Sequence, residues 1–128
     1  MRVFYTDKSY CSKVNFVDEN NVLVGFSNED DCCAHGGWFI ADNEKDWLEP
    51  DFKEAVMELP GFNFDRKYFV DNVVLKGEDE YTEGDAVRFK LVNGDKEKFL
   101  TLYNFHNGYY ARGFEVSVGG QVEREGSV

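Results

Sequence analysis

No apolar run in this 128-residue chain approaches the ~20 residues that a membrane-spanning helix needs. The opening residues Met1-Arg2-Val3-Phe4-Tyr5-Thr6-Asp7 turn polar at once, so no secretory leader is read there. Basic charge is scarce: 14 Lys and Arg stand against 25 Asp and Glu, a formal net charge of −11. Neutralising phosphates needs a basic footprint, so direct nucleic-acid binding and docking on an anionic membrane are both disfavoured. Cysteine is sparse and odd in number, at three. Two of them, Cys32 and Cys33, are neighbours, and consecutive Cα atoms lie only about 3.8 Å apart, too close for an ordinary disulfide. With no disulfide framework, a reducing compartment is expected, and the location reads as cytoplasmic. Three motif classes are also missing. There is no Gly-x-Ser-x-Gly elbow, no Walker loop and no G-x-G-x-x-G.

What is present suits a single globular domain over residues 1–128. Aromatics make up 16% of the chain, with 12 Phe and 7 Tyr, enough to build a substantial core from a modest length. The acidic excess has two readings: solubility, or a surface that mimics the charge of a nucleic acid to occupy a DNA-binding partner.

Apolar and polar residues alternate along most of the chain, which predicts strands. Arg2 to Thr6 reads as a first short strand. Cys11 to Val17 and Val22 to Phe26, joined by Asp18-Glu19-Asn20-Asn21, read as a hairpin. Gly36-Gly37 reads as a break, with a short strand resuming at Trp38-Phe39-Ile40. Pro50 suits a first helical turn. Phe52, Ala55, Val56 and Leu59 then share one face at helical spacing, and Pro60-Gly61 ends the run. One short helix near residues 50–59 is therefore expected. Tyr68 to Lys76 reads as a strand, and Ala86 to Val92 and Phe99 to Phe105 flank Asn93-Gly94-Asp95 as a hairpin. Tyr109 to Val118 is the next strand, and Gly119-Gly120 turns the chain into a last one, Gln121 to Arg124. The expected fold is α+β, mostly antiparallel β, with about seven or eight strands.

Two stretches concentrate the reactive groups. Glu29-Asp30-Asp31-Cys32-Cys33-Ala34-His35-Gly36-Gly37-Trp38-Phe39 carries two cysteines and a histidine. Asn104-Phe105-His106-Asn107-Gly108-Tyr109-Tyr110-Ala111-Arg112-Gly113 carries the other histidine. A metal site would draw on Cys32, Cys33, His35 and His106, with Cys11 as a further soft ligand. Zinc sites usually space paired ligands as C-x₂₋₄-C or H-x₃₋₅-H, and Cys-Cys-x-His does not. A reactive thiolate is opposed by Glu29, Asp30 and Asp31, because nearby carboxylates raise a thiol's pKa. Asp42, Glu44 and Asp46 share the first spacings of an EF-hand loop, but Trp47 and Lys53 stand where that loop needs Gly and Glu. No cofactor is implied. As a binding patch, the candidates are His35, Trp38, His106, Tyr109, Tyr110 and Arg112, since Tyr and Arg are enriched among binding hot spots. Asn107-Gly108 also serves as an ordinary tight turn.

Asp31-Cys32-Cys33 with its acidic lead-in, and His106-Asn107-Gly108-Tyr109-Tyr110 followed by Gly113-Phe114-Glu115, resemble a family of small domains encoded by bacteria and their phages. That resemblance implies an intracellular host and a phage connection, and no catalytic residue. The chain therefore reads as a small non-enzymatic binding or regulatory protein of phage or mobile-element origin. It would act on a host protein through the acidic surfaces of Asp42–Glu58 and Glu78–Asp85. The alternative is a metalloprotein or enzyme built on the Cys/His cluster. If a site exists, the two stretches should be neighbours in space.

Overall fold

The computed structural model describes residues 1–8, 11–27, 34–44, 59–76, 83–106 and 111–128. Nine strands lie among them: β1 (Arg2–Lys8), β2 (Cys11–Val17), β3 (Val22–Ser27), β4 (Ala34–Ala41), β5 (Asn63–Lys76), β6 (Glu83–Asn93), β7 (Lys96–His106), β8 (Gly113–Val118) and β9 (Gln121–Ser127). Every pairing is antiparallel. One sheet has five strands in the order β1-β2-β3-β8-β9, and the other has four in the order β4-β7-β6-β5.

Period-two alternation gives most strands one apolar side, and those sides face each other, whereas β9 is exposed along its length. Val14 and Phe16 of β2 and Val24 and Phe26 of β3 are fully buried. They share a core with Val87, Phe89 and Leu91 of β6 and Leu100 and Leu102 of β7. The result is a two-layer β-sandwich. Each large side chain removed from water contributes about 1.5–3 kcal/mol, so these inward rows dominate stability. Phe39, Ala41, Ala86 and Tyr103 form a second buried cluster on the other side of the four-stranded sheet.

Turn chemistry agrees with the sequence where it was strongest. Gly94, with φ of 57°, opens the two-residue loop between β6 and β7. Gly119 and Gly120, at 58° and 84°, both supply the positive φ that the β8–β9 loop requires. Asp18 closes the β2–β3 turn. Its carboxylate accepts the N–H of Asn20 at 2.9 Å and of Val22 at 3.0 Å. Its other oxygen accepts the N–H of Phe64 at 2.9 Å, tying this turn to the start of β5.

The architecture differs from the expectation in several places. No helix occurs among the described residues, so the described part of the molecule is all-β with nine strands rather than seven or eight. The helix near 50–59 lies outside the described residues except for Leu59. That residue is non-helical and exchanges backbone hydrogen bonds with Met1, at 2.9 and 2.6 Å. β4 begins at Ala34 and runs straight through Gly36 and Gly37. β5 begins at Asn63, before Tyr68, and register shifts interrupt it twice. Those shifts erase the period-two pattern that would have announced it. β8 begins at Gly113, and Tyr109 and Tyr110 fall outside the described residues.

Candidate functional site

Backbone register brings parts of the two reactive stretches side by side. β4 pairs with β7 so that Ala34 lies opposite His106, His35 opposite Phe105, and Gly36 opposite Asn104. His35 and His106 are thus on adjacent strands, one position out of step. β6 continues the row, with Glu83 opposite both His106 and Lys76. Ser27 ends β3 near this row, since its carbonyl accepts a hydrogen bond from Arg112, whose side chain lies over Gly36. The chain therefore leaves β3, β5 and β7 at one end of the sandwich, and enters β4 and β6 there.

Arg112 lies in the interior of this end and does not form a surface patch. It is 3% exposed. Its backbone is held by Val128, through N–H to O contacts of 2.8 and 2.9 Å in the two directions. The guanidinium fills the space that a side chain at Gly36 would take: a Cβ there would meet Arg112 Nε at 2.4 Å and Cδ at 2.5 Å. Nη1 donates to the Ser27 carbonyl at 3.4 Å, and Nε has no hydrogen-bond partner among the described residues. Arginine stays protonated in proteins, and a buried cation needs a counter-charge. None of the described carboxylates forms an ion pair with it.

Gly37 is filled in the same way from the opposite side of β4. Its Cβ would meet Tyr103 Oη at 2.7 Å and Cζ at 3.0 Å. Burial pushes the Tyr103 phenol above its ordinary pKa, while the Arg112 charge pulls it down. The glycine pair is thus a strand segment in which two long side chains from elsewhere replace the missing ones. It is not a turn.

The other candidates are distributed as follows. Trp38 faces the core, edge-on to Phe16 with ring centroids 5.0 Å apart. Cys32, Cys33, Tyr109 and Tyr110 lie outside the described residues. Among the described residues no group of three His, Cys, Asp or Glu is placed to hold a metal. Asp42 and Glu44, the described acids of the first acidic stretch, are both engaged. Lys98 Nζ reaches Asp42 at 2.6 Å, and the Tyr68 hydroxyl donates to Glu44 at 2.6 Å. Arg88 also donates to the Glu44 carbonyl.

Tyr68 yields a measurable consequence. Burial, followed by the Glu44 hydrogen bond and charge, pushes its phenol up to about 12 from 10.0, against a smaller opposing effect of Arg88. The folded state then binds more protons than the unfolded state above pH 10. Its contribution to stability is complete below pH 10 and is lost as the pH rises toward 12. Spectrophotometric titration at alkaline pH should show a late phenolate that Tyr68→Phe removes, and the same variant should flatten the fall in stability over that window. A Tyr68 that titrates with the exposed tyrosines would contradict the Glu44 contact.

A second concave place was not apparent from the sequence. It opens between β5 and β9 and is lined by Phe69, Arg66 and Arg124 among others. Its only trace is the run Asp65-Arg66-Lys67, three consecutive charges inside a strand. Comparison with protein-family models, with curated proteins and with solved structures finds no match for this chain.

Proposed function

We propose that this chain is a small non-enzymatic binding or regulatory protein that engages a basic surface of a partner protein. The observation that carries this reading is where the acidic excess falls. Three connecting stretches, 28–33, 45–58 and 77–82, hold eleven of the 25 acidic residues and two of the 14 basic ones. Two of these, 28–33 and 77–82, join strands at the same end of the sandwich. Charge gathered on connections between rigid strands suits steering and recognition of an oppositely charged partner. A phage or mobile-element origin, suggested by the two short motifs, accords with an intracellular partner.

A second reading is a metal centre at Cys32, Cys33, His35 and His106. The β4–β7 register places His35 and His106 on neighbouring strands but one position out of step, and because only directly opposite residues share a face this counts against the two converging on one metal.

Pull-down from the native host with mass spectrometry tests the first reading. A basic protein should be captured at low salt and released at high salt, because exposed charges are screened. Neutralising Glu78, Asp79 and Glu80 to their amides should weaken capture several-fold without lowering stability. Capture that ignores both salt and neutralisation would remove the proposal. Near-stoichiometric zinc or iron in untagged protein would replace it with the metal reading.

A further inference from the structure

Two sheets of a sandwich normally close against each other at their edges, and among the described residues one edge leaves a cavity. β5 and β9 are the edge strands on that side, and both lose register at the opening. In β5, Phe64 pairs with Leu91 but Phe69 pairs with Phe89, so five steps on β5 match two on β6. In β9, Arg124 pairs with Val116 but Val122 pairs with Ser117, which leaves Glu123 as an extra residue. Bulges of this kind bend a strand and re-aim its side chains. Between them lies a cavity of about 120 Å³. Its walls include Val22, Val24, Phe69, Phe89, Val116 and Val118. Val116 and Val118 pack against the core yet remain only partly buried.

The mouth is polar and charged. Arg66 spans it to Glu123 at 2.6 Å, an exposed pair with side-chain exposures of 55% and 47%. Such a pair is weak and readily exchanged. The Asp65 carboxylate accepts the N–H of Lys67 at 3.0 Å. Arg124 stacks on the Phe69 ring, 3.8 Å from its centroid, and makes no ion pair among the described residues. Among the described residues Arg124 is thus a cation at the mouth that is not ion-paired, held flat against an aromatic wall. An apolar cavity of about 150 Å³ takes one benzene molecule. This cavity is close to that size.

We propose that the cavity between β5 and β9 binds a small aromatic or branched-aliphatic carboxylate, with the apolar group among the valines and the carboxylate on Arg124. A planar guanidinium suits a carboxylate, and its stacking on Phe69 orders it in advance.

Titration with benzoate, followed by NMR of the valine methyls and backbone amides, tests this. Benzyl alcohol supplies the ring without the charge, and acetate the charge without the ring. Benzoate should give saturable shifts at Val22, Val24, Val116, Val118 and Arg124, with an affinity about ten-fold above benzyl alcohol, as a charge-assisted contact implies. Acetate should leave the valines unmoved. Arg124→Gln, an exposed change that should fold, should lower benzoate affinity about ten-fold and leave benzyl alcohol unchanged. Val116→Phe should fill the cavity and abolish binding of both. The proposal is overturned if benzoate leaves the valines unmoved, or if Arg124→Gln binds benzoate as tightly as the parent protein.

Discussion

Asp18→Ala is expected to lower the unfolding free energy by about 3–5 kcal/mol, the largest single effect that the structure supports outside the apolar core. Asp18 is 5% exposed and accepts three backbone N–H groups, from Asn20, Val22 and Phe64. Alanine would leave the Val22 and Phe64 donors buried without acceptors, and each such orphan costs about 1–3 kcal/mol. The Asn20 donor is closer to water and can be solvated. Because Phe64 is the second residue of β5 in the other sheet, after Asn63, the loss reaches beyond the β2–β3 turn to the contact between sheets. Asp18→Asn keeps one acceptor oxygen and should show a smaller loss. Urea denaturation of the three proteins measures this, provided the slope is unchanged. A loss below about 1 kcal/mol for Asp18→Ala would mean that water replaces the carboxylate.

Gly36→Ala is expected to destabilise by about 2–3 kcal/mol, a large effect for the addition of one methyl group. The added Cβ would overlap Arg112 Nε and Cδ, at 2.4 and 2.5 Å. Arg112 is buried and its backbone is bonded to Val128, so the side chain has little room to withdraw. The decisive measurement is a double-mutant cycle. In an Arg112→Ala background, Gly36→Ala should cost under about 0.5 kcal/mol, which gives a coupling near 2 kcal/mol. Additive effects would show that the Arg112 side chain does not occupy the Gly36 space.

The same glycine shows why part of the candidate site could not be read in advance. A glycine pair carries a strong local signal for a break, because glycine costs a strand entropy and packing. What keeps Gly36 and Gly37 in β4 is the side chains of Arg112 and Tyr103, which arrive from distant parts of the chain to fill the two vacant positions. By type and by its sequence neighbours, Arg112 suits the part of a recognition residue. Its burial depends on the Val128 backbone and on Gly36, and neither is adjacent to it in the sequence. The expected meeting of the two reactive stretches is visible only in the backbone register of β4 and β7.

Residue pattern alone placed β3, as an apolar run beside a turn, and β6, β7 and the Phe114–Val118 part of β8, where alternation in an amphipathic strand is a local property that water enforces on any half-buried sheet. It also settled the turns at Gly94 and at Gly119-Gly120, where the allowed backbone angles belong to the residue itself. The two-sheet partition was decided by tertiary structure. So were the register breaks in β5 and β9, the open cavity between them and the burial of Arg112. Each of these depends on which distant strands meet and in what register, and pairing of that kind leaves no period in the chain that forms it.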